Sequence, residues 1–364
     1  MLLKPKEFDA EAFAKEATNI TLSERTMEMV DNFGQVHSPE ILPIWKDFYE
    51  KMLAEKGKGN KRKSADFTIP FNGYRYRCNL ANSMDGWVIA MRRLLQGKLN
   101  FQKDLKLDYN VVKSLMKGAG LTLFAGVMGS GKSTTMFSAL ENMDPLERGL
   151  LGTCEDPIEY IFEGGGVIQR EVGEHVESFE QAIRDCVRQN RKTIMVSEIR
   201  DPETANAALL AASTGHSVFA TIHADSAPDA YTRMLALVDP RYERLVPQTL
   251  RGIFWQHMLR FSDGQRAPLP IYESIEVTGA VRQILQGGPE KLPMLANEMK
   301  RQGRRNMAET AMAWVTANKV SREEVREFTD RRGRINVSVQ PSHLPNSSIK
   351  GDGVRVFLSG RVRP

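Results

Sequence analysis

Little in this chain of 364 residues points to a secreted or membrane-embedded protein. It has only three cysteines, Cys78, Cys154 and Cys186. Their spacing fits neither a disulfide framework nor a metal knot, so a reducing cytoplasm is the expected setting. No apolar run nears the ~20 residues that a spanning helix requires. The start, MLLKPKEFDAEAFAK, meets charge too early for a secretory leader. Neither sign of charge dominates: 50 Lys and Arg against 45 Asp and Glu leave +5, which permits contact with acidic lipid or nucleic acid without requiring it. There is no aromatic–basic interleaving of the kind that stacks bases, so nucleic acid is not expected as a direct ligand. What remains is an ordinary soluble composition, 41% hydrophobic and 26% charged, long enough for two domains and extras.

Residues 1 to about 55 read as helical. In PEILPIWKDFYEKMLAEK, Ile41, Leu42, Ile44, Trp45, Phe48 and Met52 recur at helical spacing. KGKGNKRKS follows, with five basic residues from Lys56 to Lys63; it reads as a solvated loop or a patch for an anionic partner. In FTIPFNGYRYRCNL, Asn72-Gly73 between two β-rich runs signals a hairpin. Strand alternation then puts Tyr74, Tyr76, Cys78 and Leu80 on one face and Arg75, Arg77 and Asn79 on the other. Past GKLNFQKDLKLD, strands and helices alternate. LTLFA is a strand and KSTTMFSALENM a helix; LLGTCEDPIEY is a strand that runs into acids. SFEQAIRDCVRQN is an amphipathic helix with Phe179, Ala182, Ile183, Cys186 and Val187 in one stripe. TIMVSE, PETANAALLAAS and HSVFATIHA continue as strand, helix and strand. This pattern predicts an α/β fold with a parallel sheet covered on both faces. Helix is expected through NMAETAMAWVTANKVSREEVREF; the tail 331–364 holds two β-like runs, INVSV and VRVFL, and has no assigned role.

Gly126 to Ser133, GVMGSGKS, fits G-x-x-x-x-G-K-[ST] residue for residue. A strand before it and a helix after it are the context in which such a loop binds a nucleotide. Gly129 and Gly131 let the main chain wrap closely, so that successive N–H groups turn towards phosphate. The cradle therefore comprises Gly126, Val127, Met128, Gly129, Ser130, Gly131, Lys132, Ser133 and Thr134. Lys132 is suited to the β- and γ-phosphates and the Ser133 hydroxyl to Mg²⁺.

Three further segments narrow the class. Glu155 and Glu159, with Asp156, stand at the end of one predicted strand, in TCEDPIEY. Glu198 follows the apolar TIMV run, and His216 and His223 flank a third strand. Carboxylates at the carboxyl ends of parallel strands face the ligand crevice. There one can hold magnesium through water while another orients or deprotonates the attacking water. Glu198 is assigned to magnesium through water or to water activation, with Glu155 and Glu159 as the alternative acids. His223 is a candidate phosphate sensor.

Taken together, these segments resemble the traffic ATPases of type II and type IV secretion and of pilus retraction. GVMGSGKST resembles their Walker A, TCEDPIEY their Asp box, SEIRDPET their Walker B and TGHSVFATIHADSA their His box; VIQREVG and SFEQAIRDCVRQN also match. The resemblance covers roughly residues 66 to 330. It implies a RecA-like P-loop ATPase domain preceded by a smaller α+β, PAS-like domain and followed by helices. It further implies ATP and Mg²⁺ as ligands, a homo-hexamer, and nucleotide held between the two domains. YRYRCN and IAMRR look like the segments whose arginines reach the phosphates, which would make Arg75, Arg77 and Arg92 that set. The expected partners are inner-membrane components of a secretion or pilus machine, with the motor cytoplasmic and its membrane contact indirect. Ser197 stands where the family usually has glycine, RQNRK replaces a typically acidic stretch, no SDLHL-like early strand is evident, and the C-terminal tail is extra. These departures favour the Dot/Icm-type and conjugative-transfer branch.

The expected organisation is an N-terminal α+β domain and linker over 1–107, the ATPase domain over 108–275, helices over 276–330 and the tail 331–364. The expected function is a mechanically coupled ATPase. The rivals are a nucleic-acid motor with the same core, a pilus-retraction ATPase and a nucleotide-gated scaffold.

Overall fold

The computed structural model describes residues 19–30, 36–57, 64–261 and 266–329. Two sheets of opposite character account for most of their strands. The first is antiparallel throughout. It contains β1 (Asn19–Ser23), β2 (Met27–Val30), β3 (Val36–His37), β4 (Ser64–Phe71), β5 (Tyr74–Ser83) and β6 (Gly86–Arg93), in the order β3-β2-β1-β6-β5-β4. Helix α1 (Pro43–Met52) lies against one of its faces through Trp45, Phe48, Tyr49 and Met52. Its proline occupies the first turn, where a missing N–H costs nothing. Ile44, placed on the stripe from sequence, is 45% exposed instead.

The expectation that residues 1 to about 55 are helical is corrected over 19–30. Ile20, Leu22, Met27 and Met29 bury every second side chain, and that period of two favours strands. Residues 1–18, most of the basic loop Lys56–Lys63 and the tail 331–364 lie outside the described residues.

The Asn72-Gly73 hairpin is present. Both residues have positive φ, 47° and 80°, the conformation of a type I′ turn that joins β4 to β5 without splaying them. Along β5, Tyr76, Cys78 and Leu80 are buried, whereas Arg75 and Asn79 are exposed and Arg77 is half-buried.

β7 (Leu95–Gln96) follows β6 after a single residue. Then come α2 (Tyr109–Leu115), β8 (Gly120–Ala125), α3 (Lys132–Asn142), β9 (Leu151–Glu155), β10 (Tyr160–Ile161), β11 (Val167–Glu171), α4 (Phe179–Arg188), β12 (Thr193–Val196), α5 (Pro202–Ser213), β13 (Ser217–Ile222), α6 (Ala227–Leu237), β14 (Leu250–Leu259) and β15 (Leu269–Glu276). β7 and β10 pair in parallel. The other seven strands form one sheet in the order β11-β9-β12-β13-β8-β14-β15. All its neighbours are parallel except the edge pair β14 and β15. Phe124, Met195, Phe219 and Phe254 pack with Val112 and Leu115 of α2 and Phe137 and Leu140 of α3. Leu121, Leu123, Ile194, Val196, Val218 and Ala220 pack with α4, α5 and α6. The sheet is thus covered on both sides, as near-continuous apolar strands require.

Short helices complete the chain: α7 (Gly279–Gln286), α8 (Leu295–Arg301), α9 (Met307–Thr316) and α10 (Arg326–Thr329). The single helical run expected from residue 306 to 328 is interrupted. Asn318 takes a left-handed conformation, φ 53°, and the N–H groups of Asn318 and Lys319 turn back to Val315 and Trp314, which closes the helix end.

Candidate nucleotide site

The parallel strands end together, which gathers the chemistry at one edge. Ile222 of β13 pairs with Ala125 of β8, and Val196 of β12 pairs with Ala220 and Cys154. The glycine loop therefore leaves the sheet beside the segments that carry Glu198, His223 and Glu155. His216 lies at the opposite end of β13, where Nδ1 contacts the Arg191 carbonyl at 2.8 Å; it takes no part in this edge.

Gly126, Gly129 and Gly131 all have positive φ, 148°, 72° and 84°, values that a side chain would strain. A Cβ on Gly126 would also lie 2.2 Å from the Gln256 carbonyl oxygen. Gly131 caps α3, so the unpaired N–H groups of the first helical turn face the loop. Val127, Met128 and Gly129 are exposed, whereas Ser130 and Lys132 are buried. Burial lowers the Lys132 ammonium below the ordinary lysine value, while Glu198 and Glu159 pull the other way. Among the described residues the Lys132 ammonium and the Ser133 hydroxyl have no hydrogen-bond or ion-pair partner. They are free for an anion and a cation respectively.

Two acids at this edge have different surroundings. Glu198 is half-buried, and its Oε1 lies 3.2 Å from His223 Nε2. Burial and the Lys132 charge hold His223 below its usual value, against the pull of Glu198. A neutral imidazole that donates from Nε2 to the carboxylate fits this balance. Glu155 is fully buried. Its Oε1 accepts from the Thr153 hydroxyl at 2.5 Å and the Gln169 amide at 3.0 Å, and Oε2 has no partner. Burial pushes its carboxyl up to about 7 despite those hydrogen bonds. Glu159 is exposed.

The loops that bear these acids are tied together. Ser197 donates its N–H to the Cys154 carbonyl at 2.9 Å, and its hydroxyl accepts from the Asp156 N–H at 3.3 Å. Ser197 thus joins the segment of Glu198 to that of Glu155. Arg200 and Asp156 pair at 2.6 Å across the same two loops.

Arg77 and Arg92 are directly opposite each other across β5 and β6, with Thr68 of β4 and Asn19 of β1 in the same row. Arg75 is two residues along β5 on that face. None of the three guanidiniums has a hydrogen bond or ion pair among the described residues, and none is bonded to the glycine loop. The Thr68 hydroxyl reaches Glu171 Oε2 at 3.5 Å, and that oxygen also accepts from the Ile158 N–H at 3.0 Å, next to the acidic loop.

Sequence reasoning missed the residues that brace the loop. Gln256 on β14 bonds the Ser130 carbonyl in the loop and the Thr135 hydroxyl in the first turn of α3, and Arg260 donates to the Gly129 carbonyl at 3.1 Å. One signal was present: a glutamine inside the largely apolar GIFWQHML run.

Residues 63–339 match the family model described as type II/IV secretion system protein. The type IV pilus retraction ATPase PilT of Pseudomonas aeruginosa is 27% identical over 327 residues, 85% of this chain and 94% of that protein. The type II secretion system protein E of Aeromonas hydrophila is 40% identical over 237 residues, 62% of this chain and 44% of that protein. The chain therefore spans less than half the length of that type II relative. Among solved structures, the pilus retraction motor PilT with bound ADP superposes with a TM-score of 0.75 at 28% identity, covering 87% of this chain and 94% of the other.

Proposed function

The chain belongs to the type II/IV secretion system protein family, and from that premise we propose that it is an ATP-hydrolysing motor that works as a homo-hexamer at the cytoplasmic side of an inner-membrane machine. The observation that carries the reading is the buried, unpaired ammonium of Lys132 at the first turn of α3, with Glu198 and Glu159 as its nearest acidic influences. Buried cations need an anion partner, and here no protein group supplies one.

The N–H groups at the start of α3 and Lys132 bind the β- and γ-phosphates of ATP. Ser133 and, through water, Glu198 fit Mg²⁺, since both are oxygen donors and the Ser133 hydroxyl has no protein partner. The metal, when bound, offsets charge on the phosphates. Glu198 is the better placed base: its carboxylate is half-exposed and oriented by His223, whereas Glu155 is enclosed by Thr153 and Gln169. His223 reports the γ-phosphate through its contact with Glu198. Arg75, Arg77 and Arg92 close on the triphosphate and part from it after hydrolysis, so the N-terminal sheet swings with the nucleotide state. That cycle, repeated around a ring, moves a partner.

The four sequence departures direct the motor to a type IV secretion or conjugative-transfer machine. Pilus retraction is the second reading, favoured by the match to PilT along 94% of that protein. The test is phosphate release from Mg-ATP by the purified chain, together with particle images with and without ATP. Hydrolysis and six-fold rings that change shape with nucleotide are expected. A chain that assembles on ATP without turning it over would be a scaffold, and strong stimulation by single-stranded DNA would make it a nucleic-acid motor.

A further inference from the structure

Gln256 is 3% exposed in the middle of β14, among apolar neighbours. Both ends of its amide are engaged, and with opposite polarity. Nε2 donates to the Ser130 carbonyl at 2.8 Å, and Oε1 accepts from the Thr135 hydroxyl at 2.7 Å. Its main-chain carbonyl closes against Gly126, and its Nε2 would lie 2.7 Å from a Cβ on Gly131. The residue therefore meets the loop entry through its main chain, and through its side chain the Ser130–Gly131 peptide and the first turn of α3.

The contact with Ser130 fixes a direction. In a trans peptide the C=O of one residue and the N–H of the next point opposite ways. With the Ser130 carbonyl held by Gln256, the Gly131 N–H points away from β14, and it has no protein partner among the described residues. Gly131 itself cannot hold this orientation, because a residue without Cβ accepts either sense of the flanking peptide.

We propose that Gln256 is a positioning residue for phosphate binding, locking the Ser130–Gly131 peptide with its N–H turned into the cradle. The proposal rests on the assignment of Gly126–Thr134 as the triphosphate site. Gln256 touches no phosphate; it acts through the loop. Methionine at this place would keep the volume and lose both hydrogen bonds. Ionised glutamate would keep the acceptor and lose the donor, leaving two oxygens face to face. Protonated glutamate would restore one donor and one acceptor.

The experiment measures ADP affinity by calorimetry, and KM and kcat for ATP, in wild type, Gln256→Met, Gln256→Glu and Lys132→Ala. Gln256→Met is expected to weaken ADP about ten-fold, the worth of one lost hydrogen bond, and to raise KM more than it lowers kcat. Gln256→Glu is expected to bind weakly near about pH 8 and to recover towards wild type near about pH 6, where its buried carboxyl takes up a proton. If Gln256→Met does not fold, this pH response alone decides the matter. ADP affinities within about two-fold of wild type in both Gln256 variants, with no added pH response and with binding lost in Lys132→Ala, would overturn the proposal and leave the cradle standing. Unchanged binding in Lys132→Ala would overturn the cradle assignment itself.

Discussion

The two sheets handle charge in opposite ways. In the parallel sheet the polar groups near the glycine loop mostly have protein partners: Gln256 satisfies Ser130 and Thr135, Gln169 and Thr153 wrap Glu155, and His223 meets Glu198. In the antiparallel sheet Arg75, Arg77 and Arg92 share one face, Arg77 and Arg92 directly opposite each other; Asp66 lies one row away, where Asn79 donates to it, and none of the three guanidiniums has an ion pair among the described residues. Like charges facing across strands destabilise a sheet. In the first region the Lys132 ammonium, the Ser133 hydroxyl, the buried Ser130 hydroxyl and Glu155 Oε2 are left without a partner among the described residues. The second carries a cost that an anion would relieve. On the function proposed above, the glycine-loop pocket and the arginine face would be complementary halves of one binding device.

The comparison can be broken at its centre. Lys132→Ala removes charge-assisted hydrogen bonds worth on the order of 1.5–3 kcal/mol each and is expected to abolish ATP turnover, read as phosphate release; wild-type rates would end the cradle assignment. Glu198→Gln is expected to lower kcat by about 10²–10⁴ while ATP still binds, the range for a lost general base. Unchanged kcat in a stopped-flow assay would move the role to Glu155.

Glu155 sharpens the comparison through stability. Its folded pKa is raised to about 7 from an ordinary 4.5. The folded state therefore holds a proton that the unfolded state has released between those two values. Stability from this group is full below about 4.5 and is lost as pH rises through about 7, by up to roughly 3 kcal/mol. Denaturant melts of wild type should show this fall. Glu155→Gln, which cannot ionise, should flatten it; identical slopes in the two proteins would mean that the carboxyl is not enclosed as described.

The smallest expected effect lies on the arginine face. Arg77→Thr removes one of two opposed cations and should stabilise the nucleotide-free protein by about 0.2–1 kcal/mol, seen as a raised thermal midpoint, while lowering ATPase activity. A midpoint that falls would show that the pair is not in repulsion.

What the sequence disclosed was mainly what is contiguous. The glycine loop and the Asn72-Gly73 turn each lie within a dozen residues, the strand–helix alternation is read one short segment at a time, and alternation alone set Arg75 and Arg77 on one face. Brief strands escaped notice: β1 and β2 have five and four residues, too short for a period of two to stand out beside the helical stretch that follows. Burial escaped as well, because Glu155 and Glu159 look alike in TCEDPIEY and only the neighbouring strand, through Gln169, encloses one of them. Gln256 was hidden by distance, since it meets Thr135 from 121 residues away.

The passage from one sheet to the other has a mechanical meaning. The antiparallel ladder ends at Arg93, and β7 begins at Leu95. β7 lies alongside β10, just past the acidic loop; Tyr160 bonds the Gly97 carbonyl at 2.6 Å, and Asn142 bonds the Leu99 carbonyl at 3.0 Å. Leu94 is the only residue outside both ladders, and its own N–H is held by the Arg75 carbonyl at 2.8 Å. The joint therefore has no slack. The swing of the small sheet proposed above would be carried by paired backbone to Tyr160, five residues from Glu155.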